Sequence, residues 1–276
     1  MSRNKEILLN LSKENEFIEI FRLEEIEDNR FFGNYQRYDF YQLLWFTEVS
    51  GDTFYFLDFN DYTLADNQII LIYPGQIDKM NIIGKKGYLY AIHNEVIFRI
   101  NQRLKSDYLN GYFSNVFLSP EESVRQTLNQ INGLMIDEYD AGRRLVLMES
   151  YMEAFLFHLS SLVETTDMFE NKSDSVVAEL MRLIDANFIN ERETDFYADK
   201  LGVTNKIIND ICKKGTGKTV KQHLQEKLIL EIKKEIRIGR KSMKEIAFDL
   251  GFSEAAYFTR FFKLHTSMTP TEFRDN

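Results

Sequence analysis

The chain has 276 residues, of which 44% are hydrophobic and 14% aromatic, so it is long enough for two domains with cores of their own. It has no run of 18 or more apolar residues and no signal-peptide core near Met1, which predicts a soluble, cytoplasmic protein and no membrane partner. The single cysteine, Cys212, excludes an internal disulfide and a cysteine-based zinc site.

The net charge of −9 is unevenly distributed along the chain. Residues 1–172 carry 16 basic and 27 acidic side chains, a net −11, whereas residues 200–263 carry 15 and 7, a net +8. Nucleic-acid affinity depends on the local footprint, so the acidic total does not exclude DNA as a ligand of the C-terminal part. The alternative is that these lysines only solvate helix faces.

The first third of the chain is predicted to be β-structure. Short runs rich in aromatic and branched residues alternate with turn clusters such as Pro74-Gly75, at the spacing of a small sandwich or barrel. No helix is expected between Phe17 and Phe117. The predicted strands are residues 17–23, 41–49, 53–59, 68–73 and 88–93.

A helical hairpin is predicted over about residues 119–163. Ser119 as N-cap, Pro120 at the first helical position and Glu122 at the third give the start of its first helix, and Gly142 separates the second. The hairpin either packs wholly onto its own domain or supplies a dimer interface. The polar residues 166–173 are predicted to be the linker between domain 1–165 and domain 174–276.

The C-terminal part is predicted to be helical throughout, and its clearest motif is a helix-turn-helix. Ser242 and Glu245 form a capping box, Gly251 provides a left-handed stop, and Ser253 is expected to cap the next helix. In that second helix Phe258 and Phe262 point inward, which leaves a small, basic outward face suited to a DNA groove.

The motif is duplicated 49 positions earlier, where Ala198, Leu201, Gly202, Val203 and Thr204 match Ala247 to Ser253. Between the copies, a capping box of Thr219 and Gln222 opens a helix that runs to about Ile238. At 1.5 Å per residue this connector is roughly 28 Å long. Such a spacer can place the two second helices in successive major grooves, which lie about 34 Å apart.

These residues resemble the arabinose-regulator (AraC/XylS) family of bacterial transcription factors. The resemblance is carried by Ile246 to Lys263 (IAFDLGFSEAAYFTRFFK) with Thr269-Pro270 and Phe273-Arg274, and by Ala198 to Gly217 with the connector. Residues 41–87, including Tyr73-Pro74-Gly75-Gln76, are similar to the family's cupin-type sensor barrel. The resemblance implies an α+β protein: an N-terminal cupin-like sensor and dimerisation domain, and a C-terminal domain of two helix-turn-helix units.

The sequence departs from the family pattern at five positions. The family often has a basic residue where this chain has Asp210, an aromatic at Cys212 and a glycine at Ser267. Arg37 and Asp78 occupy positions where such barrels often have histidine, which argues against a metal site in the barrel.

Candidate DNA contacts follow from the outward faces of the two second helices. Arg260 can make paired bonds to guanine O6 and N7 or to phosphate, and Ala255 and Ala256 can touch thymine methyls or simply favour the helix. Lysines, hydroxyls and helix N-termini serve phosphates, and Glu254 mainly balances the helix dipole. The complete predicted set is Thr204, Asn205, Lys206, Asn209, Lys213, Ser253, Glu254, Ala255, Ala256, Thr259, Arg260 and Lys263.

The expected function is a sequence-specific DNA-binding transcriptional regulator, with a possible small-molecule effector, promoter or operator DNA, a second copy of the chain and, for an activator, RNA polymerase as partners. An enzyme is not expected, because the sequence contains no phosphate loop and no nucleophile elbow. The four histidines, His93, His158, His223 and His265, do not have the spacing of metal ligands. No cofactor or metal is therefore expected. Asp210 and the net acidity favour one alternative, an oligomeric interaction or sensor protein without specific DNA binding. A cupin-type enzyme is the second alternative.

Overall fold

A computed structural model of the chain describes residues 16–26, 32–104, 116–163 and 172–275. The chain divides into two compact units, Met1–Met168 and Phe169–Asn276. The first contains strands and helices and the second only helices among the described residues, which confirms the predicted α+β class. Most of the predicted linker, residues 166–171, lies outside the described residues, and helix begins again at Lys172.

The N-terminal unit contains nine described strands, and every strand pair is antiparallel. They form a five-stranded sheet of order β1-β8-β3-β6-β9 and a four-stranded sheet of order β2-β7-β4-β5. The strands are β1 (Ile18–Arg22), β2 (Gln36–Arg37), β3 (Tyr41–Val49), β4 (Phe54–Leu57), β5 (Asn60–Thr63), β6 (Gln68–Ile72), β7 (Ile77–Met80), β8 (Lys85–Ile92) and β9 (Val116–Leu118).

Alternation along the strands builds a separate core on each face of the larger sheet. On β3, Leu44 and Phe46 join the core shared with the smaller sheet, while Leu43 and Trp45 face the helices. Among the described strands the two sheets remain separate hydrogen-bonded ladders. The expected barrel is therefore realised as two facing sheets around one apolar interior.

Three helices cover the outer face of the five-stranded sheet: α1 (Asn94–Leu104), α2 (Glu122–Ala141) and α3 (Leu145–Val163). The hairpin of α2 and α3 packs on Trp45 and Tyr90, and the Tyr90 hydroxyl donates a 2.5 Å hydrogen bond to Asn132 Oδ1. Packing on its own sheet is thus observed for the hairpin.

The expectation of no helix before Phe117 is wrong, because α1 lies there. Its apolar side chains Val96, Ile97 and Ile100 are buried, and its branched residues made the segment resemble strand. His93 precedes it, and the His93 Nδ1 accepts a 3.2 Å hydrogen bond from the Glu95 N–H. This histidine therefore satisfies a free backbone donor at the start of the helix.

The predicted start of α2 also needs correction. The helix begins at Glu122, and its N-cap is Glu121, which makes no side-chain cap bond. Glu121 still has an extended backbone, with ψ of 162°, and Pro120 is buried just before it. The chain therefore enters the helix later than a Ser119 cap would require.

The C-terminal unit consists of seven described helices. The helices are α4 (Lys172–Asn187), α5 (Thr194–Lys200), α6 (Asn205–Thr216), α7 (Val220–Ile238), α8 (Met243–Asp249), α9 (Ala255–Thr266) and α10 (Pro270–Asp275).

An acidic side chain lies in the apolar interior of the N-terminal unit. Asp78 on β7 is 3% exposed, and its Oδ2 accepts a 3.3 Å hydrogen bond from the Tyr55 hydroxyl. The pKa of Asp78 is raised from 3.8 to about 7: burial is the largest cause, the hydrogen bond from Tyr55 opposes the shift, and the charge of Asp58 adds to it. The carboxyl is therefore held largely neutral below pH 7.

We expect Asp78→Asn to raise the free energy of unfolding at pH 8 and to change it little at pH 3, below the unfolded pKa of the carboxyl. A carboxyl whose folded pKa is raised adds stability that is complete below its unfolded pKa and is lost as pH rises through the folded value. About three pKa units correspond to roughly 4 kcal/mol as an upper bound. Urea unfolding at both pH values measures this, with the exposed Asp61→Asn as control; parallel pH profiles for Asp78→Asn and wild type would contradict it.

Candidate nucleic-acid interface

Two helix-turn-helix units share one backbone design. The first joins α5 to α6 and the second joins α8 to α9, each through a glycine in the left-handed region, Gly202 with φ +65° and Gly251 with φ +74°. After each glycine the chain turns back on the first helix: the Val203 N–H donates to the Ala198 carbonyl at 3.0 Å, and the Phe252 N–H donates to the Ala247 carbonyl at 2.8 Å. The predicted duplication is present in three dimensions.

The two turns differ in length by one residue. In the first unit Thr204 is the N-cap, and its hydroxyl accepts a 3.3 Å bond from the Ile207 N–H. In the second unit the N-cap is Glu254, not the predicted Ser253, and it makes no side-chain cap bond. Beyond the turns, equivalent residues are therefore 50 positions apart, so that Asp210 corresponds to Arg260 and Cys212 to Phe262.

The connector α7 joins the units as predicted. Thr219 and Gln222 form a complete capping box, as do Ser242 and Glu245 at the start of α8. The 19 residues of α7 give a length of about 28 Å. Its inner side is buried through Leu224, Leu228 and Ile232.

The predicted contact residues of the first unit lie on and before α6. Thr204, Asn205, Lys206 and Lys213 are exposed, and Asn209 is partly exposed. The hydroxyl of Thr204 is used by the cap, and the Asn205 amide donates to Asp195. These residues share one outward surface, with Ile208 and Cys212 buried beneath it.

The predicted contact residues of the second unit lie on and before α9. Phe258 and Phe262 are buried as expected, at 1% and 0% exposure. Thr259 is partly exposed, and its hydroxyl donates a 2.9 Å bond to the Ala255 carbonyl. The fully exposed members of the set are Ser253, Glu254, Ala255, Ala256, Arg260 and Lys263.

Sequence reasoning missed the residue that supports the second turn, Arg192. Its guanidinium lies 4.6 Å from the Phe252 ring, donates to the Ile189 carbonyl at 3.3 Å and donates to the Leu250 carbonyl. Burial lowers the pKa of Arg192, the expected effect of desolvating a cation. No local pattern identifies such a residue, because Arg192 and Leu250 are 58 positions apart.

Exposed apolar side chains beside the outward faces were missed as well. Tyr257 and Leu264 on α9 are 50% and 80% exposed, and Ile207 on α6 is 46% exposed. The signal for them is present in the sequence, since an apolar residue just outside a buried helical stripe must face solvent.

The departures from the family pattern have clear structural positions. Asp210 is exposed on the outward face of α6, and Cys212 is buried, with the pKa of its thiol raised by burial. Ser267 ends α9 with φ +63°, in the left-handed region, where the first unit has Gly217 with φ +74°. A side chain in that conformation costs about 1–2 kcal/mol.

Within the described part of the chain, no group of three or more His, Cys, Asp or Glu side chains is placed to hold a metal ion. Of the helices in residues 16–26, 32–104, 116–163 and 172–275, none has both the length and the apolar character needed to span a bilayer.

Comparison with protein families assigns the C-terminal unit: residues 197–276 match the helix-turn-helix domain model. The HTH-type transcriptional regulator from the cgkA 5′ region of Pseudoalteromonas carrageenovora is 31% identical over 102 residues, 37% of this chain and 60% of that protein. The transcriptional activator RhaS of Mannheimia succiniciproducens is 24% identical over 163 residues, 57% of this chain and 60% of that protein. The chain thus spans about 60% of the length of these two relatives.

A solved structure aligns along nearly the whole chain. ToxT from Vibrio cholerae aligns with 95% of this chain and 98% of its own, with a TM-score of 0.47 and 11% sequence identity.

Replacing Phe258 by Ala is expected to lower the free energy of unfolding of the C-terminal unit by about 3–5 kcal/mol, because the variant loses a buried aromatic ring and leaves a cavity. Denaturant unfolding of the full chain, followed by circular dichroism, measures the loss. The half-exposed neighbour Tyr257→Ala is the control and should change stability far less. Equal losses would show that the packing assigned to Phe258 is wrong.

Ser267→Gly should stabilise the C-terminal unit by about 1 kcal/mol, because glycine reaches the left-handed conformation without steric cost. The reciprocal change, Gly217→Ser, should destabilise by a similar amount. The melting temperatures of both variants, compared with that of wild type, measure the two effects. A lower melting temperature for Ser267→Gly would contradict the expected strain at that C-cap.

Proposed function

We propose that this protein is a sequence-specific DNA-binding transcriptional regulator of the AraC type, because residues 197–276 match a helix-turn-helix domain model. The observation that carries the proposal is the pair of outward faces, one on each helix-turn-helix unit, at the two ends of a connector about 28 Å long. Major grooves on one side of a duplex recur about every 34 Å. A connector of this length can therefore place the two outward faces in successive major grooves. The local net charge of +8 over residues 200–263 supports the same ligand.

In the second unit, Arg260 is proposed to contact guanine or phosphate. Its side chain is exposed and, within the described residues, makes no ion pair that would compete with DNA. Ala255 and Ala256 leave room for thymine methyls, while Ser253, Thr259 and Lys263 face the phosphates. Glu254 at the N-cap interacts favourably with the helix dipole.

In the first unit, the proposed interface consists of Thr204, Asn205, Lys206, Asn209 and Lys213. Lys206 and Lys213 supply cationic groups at the two ends of the outward face of α6. Asp210 lies between them, so the net attraction for phosphate is weaker here than a basic residue at that position would give.

The N-terminal unit is proposed to be a sensor and dimerisation domain that acts in the cytoplasm. Its apolar interior between two sheets suits a small-molecule effector, and the outer helices present exposed Val146 and Phe157 on α3 for a second copy. An activating role would add RNA polymerase as a partner. The relatives named above are called a regulator and an activator, which supports a regulatory role and no enzymatic one.

The function is tested by binding-site selection with the purified full-length protein, followed by gel-shift titration over a salt series. A regulator binds selected fragments more tightly than scrambled ones, and its affinity falls steeply as salt rises. Equal affinity for all fragments would favour the alternative of an interaction protein without specific DNA binding.

Arg260→Ala is expected to weaken binding to the selected DNA about 10- to 100-fold without unfolding the protein, since one paired arginine contact contributes about 1–3 kcal/mol. Arg260→Lys should recover part of a phosphate contact but not a paired contact to guanine. Arg182→Ala, which removes an exposed arginine from α4, is the charge-matched control. Unchanged affinity for Arg260→Ala would remove Arg260 from the interface.

A further inference from the structure

The duplicated units allow one recognition surface to be compared with the other, position by position. Asn209 of α6 corresponds to Thr259 of α9, and Val220, the first residue of α7, corresponds to Pro270, the first residue of α10. Both pairs lie where a second helix meets the helix that follows it. The chemistry of the two pairs is different.

In the first unit both groups of the Asn209 amide are occupied inside the protein. Its Oδ1 accepts a 3.2 Å bond from the Val220 N–H, and its Nδ2 donates a 2.9 Å bond to the Asn205 carbonyl. Val220 is 0% exposed, and its N–H is one of the donors that the first turn of α7 leaves without a partner in the helix. Pairing with adenine N6 and N7 requires both groups of an asparagine, and the two bonds inside the protein already fix the orientation of the Asn209 amide, so base reading would have to compete with its role at the start of α7.

In the second unit the same need does not arise. Pro270 has no N–H, so nothing at this position requires an acceptor. Thr259 instead donates within its own helix, to the Ala255 carbonyl at 2.9 Å. The asparagine is thus present in the unit that has a backbone N–H to bind, at Val220, and absent from the unit that has proline there. This pattern supports a structural role for Asn209.

Two other positions of the first unit are acidic where the second is basic. Asp210 is at the place of Arg260, and Asp195, which accepts from the Asn205 amide, is at the place of Lys244. Arg260, the residue proposed to contact guanine or phosphate in the second unit, therefore has no counterpart in the first. Asn205 is held by a neighbouring carboxylate.

The cationic groups left on the outward face of α6 are lysines. Lys206, Lys213 and Lys214 are exposed, and in the described residues they have no ion pair. A lysine ammonium binds phosphate as a point charge and does not offer the planar fork with which arginine pairs to guanine.

We propose that the first helix-turn-helix unit is a sequence-independent phosphate clamp, with Asn209 as a positioning residue that fixes α6 to the connector, and that base reading belongs to the second unit. This rests on the proposed function. The first unit then supplies salt-dependent affinity and register, and the second supplies the choice of sequence.

Selection with the full-length protein gives the first test. We expect base preference confined to the groove read by the second unit, while hydroxyl-radical footprinting shows protection of a second segment about one helical turn away. Base preference of similar strength in both segments, for example a cytosine read by Asp210, would overturn the inference and leave the proposed function intact. Absence of any preferred sequence would overturn both.

A double substitution separates the two roles of Asn209. Asn209→Thr with Val220→Pro gives the first unit the pair found in the second, and Thr219, with ψ of 161°, already has the extended backbone that a following proline requires. We expect the double variant to keep the stability and the selected sequence of wild type, whereas Asn209→Ala alone is less stable because the Val220 N–H loses its acceptor. A double variant that folds but changes its selected sequence would show that Asn209 reads a base.

Lysine variants test the clamp itself. Lys206→Ala and Lys213→Ala should each reduce the slope of log affinity against log salt by about 0.9, the value for one lost phosphate contact, and leave the selected sequence unchanged. Arg260→Ala should instead relax base preference in the second segment. A change of base preference on loss of either lysine would contradict the assignment.

Discussion

The left-handed turn between two short helices is the constraint on which the C-terminal unit depends. Helices α5 and α8 have seven residues each, too few to be stable alone in water, so each exists only because the next helix packs across it. At Gly251 a side chain is excluded twice, by φ of +74° and by the Ile189 carbonyl, which would lie 2.9 Å from an added Cβ. Arg192 stabilises the same turn by donating a hydrogen bond to the Leu250 carbonyl and by packing against the Phe252 ring.

Features encoded by neighbouring residues were predictable from the sequence. The two capping boxes, the left-handed glycines and the buried side of the connector all follow from spacing within one or two helical turns. Short strands such as β3 followed from composition and alternation. These features fix the fold class and the location of the candidate interface.

Features that depend on distant contacts were not predictable. Helix α1 was missed because its branched residues resemble a strand until the sheet that buries them is known, and the start of α2 was misplaced because Pro120 is held by burial outside the helix. The extra residue in the second turn moved the N-cap from Ser253 to Glu254. The bond between Asn209 and Val220 joins two helices, so no single-helix pattern reveals it.

The pairing of β1 with β8 brings residues 18 and 92 together, whereas helices α6, α7 and α8 of the C-terminal unit start at side-chain caps formed within four residues. Loop closure over such a distance is slow compared with helix formation, and chains rich in local contacts fold faster than those that rely on distant strands. On this basis we expect the C-terminal unit, once its chain is complete, to fold faster than the N-terminal unit. Topology therefore gives the two units different folding rates, although a single chain carries both.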